Sequence, residues 1–398
     1  MENIIIKMNT LLKNARIVLS NTVTDLADLL IKDGKIESIG EEVRFADEII
    51  DVKGNYILPG FIDIHVHGGG GADFMDATPE AFETVVKAHL KCGTTSLLPT
   101  AMTAAESDLI DFLNAFKEFK KNSEYAYITP GVHLEGPYFS GANAKSSGAQ
   151  PSGLLRLPDE AEMDRLLKVA NGDILRWDAA PELEGSEIFA RKCLNNGIVC
   201  SIAHSAATSE ETQKGIDNGF SHVTHFYNAV TTYRKEGQKV LAGVVEAAYL
   251  NEDVTVELIC DGRHIPRDIL RLALKIKGAD KVSAITDGMR ISGTDMQSGK
   301  LGSLKNGTDV IVDDTVAKLP DMSSYAGSIA TMDRCLRVLC KDYGIDIITA
   351  SKMLSLAPAK HIKAKNIGEI KVGYNADLVI VNNALEIINV IKGGIIHN

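Results

Sequence analysis

The sequence predicts an α/β protein with a (β/α)8 barrel of the TIM type and a small β-sandwich formed by the two ends of the chain. From Phe61 onward, eight short apolar runs of strand length are separated by seven stretches of helical periodicity. This alternation is typical of a closed parallel barrel. A second observation agrees with it, because histidines and carboxylates cluster where the predicted strands end, which is the catalytic face of such a barrel.

The first predicted strand is followed by a glycine cluster, Gly68–Gly71, which ends the strand and allows a tight turn. An open doubly wound sheet would carry a Gly-x-Gly-x-x-Gly turn at this place, and the cluster does not match it. The eight predicted strands are Phe61–Val66, Thr95–Pro99, Ile128–Leu134, Ile174–Ala180, Ile198–Ala203, His222–Phe226, Val254–Ile259 and Val282–Thr286. The seven predicted helices are Pro79–Lys91, Glu106–Phe119, Asp159–Val169, Glu187–Asn195, Ser209–Asn218, Leu241–Leu250 and Pro266–Ile276.

The segments on either side of the barrel have β character. Short β-like runs precede it, and Asp33-Gly34 between two of them predicts a hairpin. The segment 368–381 is again β-like, so we expect the two chain ends to join in one small sheet. A long loop is predicted over Ile291–Ser324, followed by helices around Ile329–Tyr343 and Ile348–Ser355. The predicted domains are therefore the barrel, 59–357, and a small β domain made of 1–58 and 358–398.

Composition and charge narrow the class of function. The chain has 398 residues, of which 45% are hydrophobic and 24% are charged, as in ordinary globular proteins. A formal net charge of −11 argues against nucleic acid or an anionic membrane as the main partner, and an anionic substrate would need a local basic pocket. Six cysteines occur without a Cys-x-x-Cys pair, which is typical of reduced thiols in a cytoplasmic protein. No stretch has the ~18 consecutive apolar residues of a membrane-spanning helix.

Side chains with metal-binding chemistry follow most of the predicted strands. Seven of the ten histidines lie at or near a strand end. Side chains two apart on a strand point to the same side, so His65 and His67 face one spot. Imidazole and carboxylate together suit Zn²⁺, Fe²⁺ or a similar divalent ion, either a single ion or a pair bridged by Glu135. Six side chains are expected to converge: His65, His67, Glu135, His204, His225 and Asp287.

The remaining histidines have simpler interpretations. His89, His361 and His397 do not lie at a strand end, and we expect them to be surface or packing residues. His133 alternates with Glu135, so it is either a ligand or a hydrogen-bonding partner of one. His222 is expected to fill the barrel interior.

Six motifs in a fixed order resemble those of the N-acetylglucosamine-6-phosphate deacetylase family of the amidohydrolase superfamily. The resemblance covers nearly the whole chain, including the late Gly-x-x-Ala-Asp-Leu-Val-Ile segment. In chain order the motifs are Pro-Gly-Phe-Ile-Asp-x-His-x-His-Gly, His-Leu-Glu-Gly-Pro, Ala-His-Ser, Thr-His-x-x-Asn-Ala, Asp-Gly-x-His and Thr-Asp-Gly.

The resemblance implies a barrel of the metal-dependent amidohydrolase kind, in a cytoplasmic homodimer that hydrolyses N-acetylglucosamine 6-phosphate to glucosamine 6-phosphate and acetate. It implies that Glu135, His204 and His225 hold the main metal ion. His65 and His67 match a second-metal pair that some members lack, and Asp287 matches the catalytic acid and base. The implied substrate contacts are Asn228, Ala229, His264, Ala326 and Gly327.

The chain departs from the family pattern at two places. After Asn-Ala it reads Thr-Thr-Tyr-Arg-Lys-Glu-Gly, so the phosphate-binding arginine implied by the resemblance is Arg234. Where some members have a histidine after the Glu-Gly-Pro loop, this chain has Ala149 and Gln150, which we also assign to substrate binding.

The chemistry of an amide agrees with these roles. An amide carbonyl is a poor electrophile and water is a weak nucleophile at neutral pH. A bound metal ion polarises the carbonyl and lowers the pKa of a bound water from 15.7 to roughly 7, which supplies hydroxide as the nucleophile. Asp287 is expected to accept the proton of that water and to deliver it to the departing amine.

Three alternatives differ in substrate or in class. N-acetylgalactosamine 6-phosphate is the nearest competing substrate. A cyclic-amide hydrolase of the dihydroorotase or hydantoinase kind would place a carboxylated lysine at the end of the fourth strand, whereas this chain reads Trp-Asp-Ala-Ala-Pro-Glu from Trp177. A non-catalytic scaffold would have lost ligands or Asp287, and none of them is missing.

Overall fold

Eight parallel strands form a nearly closed barrel, as predicted, in a computed structural model that describes residues 9–43, 45–142 and 144–397. Each strand pairs with its neighbours in chain order. The barrel closes where Val66 pairs with Gly288 and the amide of Asp287 donates to the carbonyl of His65 at 3.0 Å. The barrel strands are Phe61–Val66, Thr94–Ala101, Val132–Tyr138, Ile174–Ala179, Val199–Ile202, His222–Val223, Thr255–Ile259 and Val282–Ile285.

Helices cover the outside of the barrel, and their positions follow from caps and apolar faces. Pro79–Lys91 begins after Thr78, whose hydroxyl accepts the amide of Ala81, and it buries Phe82 and Val85 against the core. The other helices between barrel strands are Glu106–Asn122, Ala144–Ser147, Glu160–Ala170, Ser186–Asn195, Ser209–Asn218, Val244–Leu250 and Arg267–Lys277. After the last strand come Met332–Arg337, Ile347–Ser351 and Ala357–His361, of which the first two continue into the π-helical turns Val338–Asp342 and Lys352–Leu356.

Two barrel strands differ from their predicted bounds by more than two residues at one end or both. The third strand begins at Val132 rather than at Ile128, because Pro130 and Gly131 interrupt the run, and it continues through Glu135 to Tyr138. Glu135 therefore lies within the third strand and not beyond its end. The sixth strand is only two residues long, and the chain turns immediately after it.

The predicted loop Ile291–Ser324 is wrong, because this segment contains a three-stranded antiparallel sheet. Its strands are Ser298–Leu301, Thr308–Asp313 and Val316–Lys318. The turn between the last two places Asp314 and Thr315 at positive φ without a glycine, so the usual hairpin signal is absent. The guanidinium of Arg290 holds the sheet to the barrel, because it donates to the carbonyls of Lys300 at 3.4 Å and Gly302 at 2.9 Å and also donates two hydrogen bonds of 2.8 Å to Asp76.

The two ends of the chain join in one sheet beside the barrel, as predicted. Tyr56–Pro59 pairs antiparallel with Leu378–Val381, which brings the N- and C-terminal segments together. The N-terminal strands are Thr10–Val18, Val23–Lys32, Lys35–Ile39, Glu48–Asp51 and Tyr56–Pro59, and the C-terminal strands are Leu378–Val381, Ile387–Lys392 and Ile395–His397. Leu12, Ile31, Ile57 and Ile380 belong to a core of this sheet that is separate from the barrel core.

The domain limits 1–58, 59–357 and 358–398 are retained as a proposal. Residues 1–8 of the first segment and residue 398 of the last lie outside the described residues. Within the described ranges, none of the helices is both long and apolar enough to cross a lipid bilayer.

A buried ion pair joins the small sheet to the barrel. Lys392 Nζ lies 2.9 Å from Asp377 Oδ2 and 3.3 Å from the hydroxyl of Ser96 on the second barrel strand. The carbonyl of Asp377 also accepts the amide of Gly60 at 2.8 Å, at the start of the barrel. These contacts fix the position of the sheet against the barrel.

Replacing Lys392 with Ala is expected to lower the free energy of unfolding by about 3–5 kcal/mol, because it leaves the buried Asp377 carboxylate without its cation. Urea denaturation followed by circular dichroism measures this loss. Lys32→Ala, an exposed lysine of the same sheet, is the matched control and is expected to change stability by less than about 0.5 kcal/mol. Equal effects of the two variants would contradict a structural role for the ion pair.

Candidate metal centre and active site

Glu135 lies at the centre of the first group of metal-binding side chains. Its Oε1 atom is 3.1 Å from His204 Nε2 and 3.1 Å from His225 Nε2. The three side chains come from the third barrel strand and from the turns after the fifth and sixth, and all are buried. The structure therefore brings together the three residues that the sequence assigns to the main ion.

His65, His67 and Asp287 form the second group. His67 Nε2 lies 3.3 Å from Asp287 Oδ1 and 3.4 Å from Glu135 Oε2, and His65 Nε2 lies 3.2 Å from His67 Nε2. In each group, one donor atom from every residue lies within 4.8 Å of the other two. Because both groups touch Glu135, the geometry fits either a single ion or two ions that share this carboxylate.

The two histidines of the first group are oriented by backbone carbonyls. His204 Nδ1 lies 2.9 Å from the carbonyl of Ser146, and His225 Nδ1 lies 3.0 Å from the carbonyl of Asn228. A carbonyl accepts only, so each Nδ1 carries a proton, and the neutral form of each ring has its lone pair on Nε2. This is the tautomer that a metal ion at Nε2 requires.

Three of these six residues have a strained backbone. His204, His225 and Asp287 have φ values of 45°, 28° and 48°, in the left-handed region that non-glycine residues rarely adopt. Each such residue costs about 1–3 kcal/mol, and hydrogen bonds around it must hold it in place. The three strained residues lie where the chain turns away from the barrel strands, and their backbone conformation directs their side chains into the site.

Charge at the site is shared between carboxylates and imidazoles. Burial raises the pKa of Glu135, but its hydrogen bonds with His204 and His225 lower the pKa by a larger amount. The pKa of Glu135 therefore lies well below its ordinary value. Burial lowers the pKa of His67, but Asp287 and Glu135 raise it to about 9. In the absence of a metal ion, protons on the imidazoles therefore compensate the carboxylates, and a divalent ion can replace them. The donor set fits a metal of the zinc or iron class.

A cavity of about 350 Å³ opens directly onto these groups. Its walls include five of the six metal-binding side chains, all except His65. Of the residues assigned to substrate binding, it is lined by Ala149, Gln150, Asn228, Ala229, His264 and Gly327. The side-chain amide nitrogen of Asn228, Nδ2, is buried and lacks a hydrogen-bond partner among the described residues, so it is a donor available to a ligand.

His264 lies in the wall of the cavity and is held by Asp261. Its Nδ1 lies 2.8 Å from Asp261 Oδ2, and its amide donates to the other oxygen at 2.9 Å. Its ring packs edge-on against Tyr325 at 4.9 Å. The Asp-Gly-x-His motif is therefore a turn that fixes an imidazole at the cavity, with Nε2 left as its second polar atom.

Gln150 contacts a predicted metal ligand. Its Nε2 donates to Glu135 Oε2 at 2.7 Å, and its Oε1 accepts the amide of Thr103 at 3.0 Å. The Thr103 contact fixes which end of the amide faces Glu135. The side chain predicted to bind substrate thus also holds the second oxygen of the central carboxylate.

Two predicted substrate residues do not line the cavity within this chain. Ala326 is fully buried, and its amide donates to Ala317 at 3.0 Å. Arg234 lies on a hairpin, Arg234–Glu236 with Lys239–Leu241, and its Nε donates to Glu236 at 3.0 Å. The Nη1 atom of Arg234 is buried and has no hydrogen-bond partner in the described part of the chain. The binding roles of both residues stay predictions.

The structure adds residues that the sequence did not single out. Lys145 and Tyr325 line the cavity, as do the apolar side chains of Met102 and Leu301. Glu257 contacts His65 from inside the barrel, with Nδ1 and Oε1 2.8 Å apart. A charged residue within the apolar run Val256–Ile259 was the available signal for Glu257. Leu301 lies in the sheet that was predicted to be a loop.

Histidines outside the two groups have packing or supporting contacts. His133 Nε2 lies 2.9 Å from Asp178 Oδ2, so His133 is a neighbour of the ligands and not a member of either group. His222 lies in the barrel interior, as predicted, 3.4 Å from Glu257. His89 and His361 are buried, and His397 contacts the hydroxyl of Tyr127 at 3.0 Å.

Comparisons with known proteins agree with this geometry. The amidohydrolase family model matches residues 56–396. The chain is 32% identical to an N-acetylglucosamine-6-phosphate deacetylase of Lysinibacillus sphaericus, with 97% of each chain covered. It is 28% identical to an N-acetylgalactosamine-6-phosphate deacetylase of Escherichia coli O157:H7, with 96% of this chain and 97% of that protein covered.

The same likeness holds in three dimensions. A solved structure of an N-acetyl-D-glucosamine-6-phosphate deacetylase variant from Mycobacterium smegmatis, in complex with N-acetyl-D-glucosamine-6-phosphate, superposes with a TM-score of 0.88 at 28% identity. The alignment covers 98% of this chain and 99% of the other. The resemblance seen in the sequence motifs is confirmed, and the chain belongs to the amidohydrolase family.

Proposed function

We propose that this protein hydrolyses the acetamide of N-acetyl-D-glucosamine 6-phosphate to give D-glucosamine 6-phosphate and acetate. The observation that carries the proposal is the convergence on one cavity of two three-donor groups, the second of which includes the buried carboxylate of Asp287. Relatives and structural neighbours named for this deacetylation align over almost the entire chain, which supports the same substrate class here.

The two groups would hold the metal ions on which an amidohydrolase depends. We propose Zn²⁺ or Fe²⁺, with one ion on Glu135, His204 and His225 and a second on His65 and His67. When bound, such an ion supplies Lewis-acid chemistry, which polarises the amide carbonyl and makes water more acidic. The protein provides the buried donors and keeps their Nε2 atoms directed at one another.

Asp287 is proposed to carry the proton. Burial raises its pKa, but His65 and His67 lower it below the ordinary value, so the carboxylate is ionised at neutral pH. It accepts a proton from the attacking water as the water oxygen bonds to the acyl carbon. It then returns the proton to the nitrogen as the carbon–nitrogen bond breaks, which releases acetic acid and a neutral amine; transfer of the acid's proton to the amine gives acetate and an ammonium group.

The anionic end of the substrate needs short-range donors, because the chain carries a net charge of −11. We propose Arg234 and His264 for the phosphate, with the backbone and side chain of Asn228, Ala229 and Gly327 against the sugar. His264 already faces the cavity. Arg234 lies on an exposed hairpin, so it serves this cavity or that of the partner in the proposed homodimer.

N-acetylgalactosamine 6-phosphate is the second candidate substrate, because one of the aligned relatives is named for its deacetylation. The two sugars differ only in the orientation of one hydroxyl group. We also propose that the protein works in the cytoplasm. All six cysteines are unpaired, and four of them are buried, which suits a reducing compartment.

Removing metal is expected to abolish acetate release, and adding Zn²⁺ or Fe²⁺ to the chelated protein is expected to restore it. Replacing both His65 and His67 with Asn should lower the metal content from two ions to one, since the second group then loses two of its three donors. Elemental analysis measures the stoichiometry, with His397→Asn, far from the site, as the control. Full activity of metal-free protein, or an unchanged metal content in the double variant, would refute these assignments.

Asp287→Asn is expected to lower kcat by about 10²–10⁴, because the amide keeps the shape of the side chain but cannot carry a proton. The assay is acetate release from the 6-phosphates of N-acetylglucosamine and N-acetylgalactosamine, with metal content measured in parallel. Asp295→Asn, an exposed carboxylate after the eighth strand, is the control and should leave kcat unchanged. A wild-type protein that releases acetate from neither sugar would overturn the proposed function, and a near-normal kcat in the variant would place the proton carrier elsewhere.

Arg234→Ala should raise KM for the 6-phosphate roughly 10- to 150-fold, which corresponds to the loss of one charged hydrogen bond of about 1.5–3 kcal/mol. Unphosphorylated N-acetylglucosamine does not make this contact, so its kcat/KM should change little. Lys235→Ala, the exposed neighbour on the same hairpin strand, is the matched control. Equal losses with the two substrates would show that Arg234 supports the hairpin instead of binding phosphate.

A further inference from the structure

A buried ion-pair network lies inside the barrel, next to the second group of metal-binding side chains. Both Nη atoms of Arg176 donate to Glu257, with Nη2 2.9 Å from Oε1, and Nε of Arg176 donates to Asp178 at 3.2 Å. All three residues are fully buried. Isolated charges at this depth would be very costly, so the network persists only because its members satisfy one another.

Glu257 connects this network to the site. Its Oε1 atom lies 2.8 Å from His65 Nδ1 and 3.2 Å from the backbone nitrogen of His225. Its Oε2 atom lies 3.4 Å from His222 Nε2. An ionised carboxylate only accepts hydrogen bonds, so His65 must donate through Nδ1, and Nε2 then presents its lone pair to His67, Glu135 and Asp287.

We infer that Glu257, held by Arg176, is a positioning residue that fixes the tautomer of His65 and thereby sets the affinity of the second group for its metal ion. This inference rests on the proposed function only in taking His65, His67 and Asp287 as a metal site. Carboxylates that accept the distal N–H of a ligating histidine raise the basicity of that ligand and hold its ring in place.

The net charge of the buried network also favours binding of a metal cation by the second group. One guanidinium faces two carboxylates, so the network of Arg176, Asp178 and Glu257 contains one negative charge in excess. A divalent cation beside His65 lies close to this charge, within a part of the protein where water does not screen it. The network therefore favours a cation in the second group as well as orienting His65.

An ion pair with a purely structural role would stabilise the barrel without affecting metal binding. The contacts of Glu257 distinguish its proposed positioning role from this structural one. Glu257 meets donors on both oxygens, from Arg176 on one side and His65 on the other. Glutamine has the same shape, but its amide nitrogen would face at least one of these donors. The side chain of Asp178 bonds to the same guanidinium, and its other partners are His133 and Thr224. Its backbone pairs with that of Glu135, but among the described residues no hydrogen bond or ion pair joins its carboxylate to either metal-binding group, which makes it the matched control.

The test compares Glu257→Gln with Asp178→Asn in chelator competition against the Zn²⁺-loaded protein. We expect Glu257→Gln to weaken the second ion by about 10- to 100-fold while the first ion changes less than about threefold. Asp178→Asn should leave both affinities within about twofold of the wild type, although each variant removes one partner of Arg176. Equal effects of the two variants on the second ion, or an unchanged affinity in Glu257→Gln, would overturn the inference.

A second measurement reads the tautomer of His65 directly in the wild-type protein. In wild-type protein labelled with ¹⁵N-histidine and loaded with Zn²⁺, the imidazole signal of His65 should show the proton on Nδ1 and none on Nε2, with the signal assigned through His65→Gln. A proton on Nε2 would overturn the inference. Neither measurement uses the sugar, so a wild-type protein that binds two ions but releases no acetate would refute the proposed function and leave this inference intact.

Discussion

The carboxylate of Glu135 is the group on which the rest of the site depends. It is buried, and a buried carboxylate without donors would cost several kcal/mol. Two imidazoles share one of its oxygens, and Gln150 donates to the other. Each of these partners is held in turn by backbone, so Glu135 occupies one position before any ligand binds. The barrel makes this arrangement possible because the carboxyl ends of its separate strands lie at one face.

The rigidity of the two metal-binding groups costs backbone conformational energy. His204, His225 and Asp287 each lie two residues beyond the end of a barrel strand, and all three adopt a conformation that their side chains disfavour. The hydrogen bonds that close the barrel secure Asp287 on both sides, through its amide to His65 and its carbonyl to Ser328. Side chains fixed in this way need little reorganisation during reaction, which is the main means by which a protein stabilises developing charge.

The strands and the convergence of six side chains could be predicted because their signals are local. An apolar run that ends in a histidine or a carboxylate indicated a strand end in each case, and the structure brings these six side chains together in two adjoining groups. The charge of Glu257 inside an apolar strand was a local signal, but its role could not be predicted, since that role depends on Arg176 from a distant strand. The hairpin between Thr308–Asp313 and Val316–Lys318 was missed because its turn uses Asp314 and Thr315 where a glycine would be expected.

Pairing of the chain ends has a consequence for biosynthesis. Tyr56–Pro59 is made before the barrel and its partner Leu378–Val381 is made after it, so one edge of Tyr56–Pro59 has no partner while the ribosome produces the barrel. Unpaired edges are templates for intermolecular association, and contacts between distant segments form slowly. The nascent protein therefore passes through a stage in which the catalytic barrel is present and its accompanying sheet is unfinished. Completion of that sheet, secured by Lys392 and Asp377, marks the end of folding.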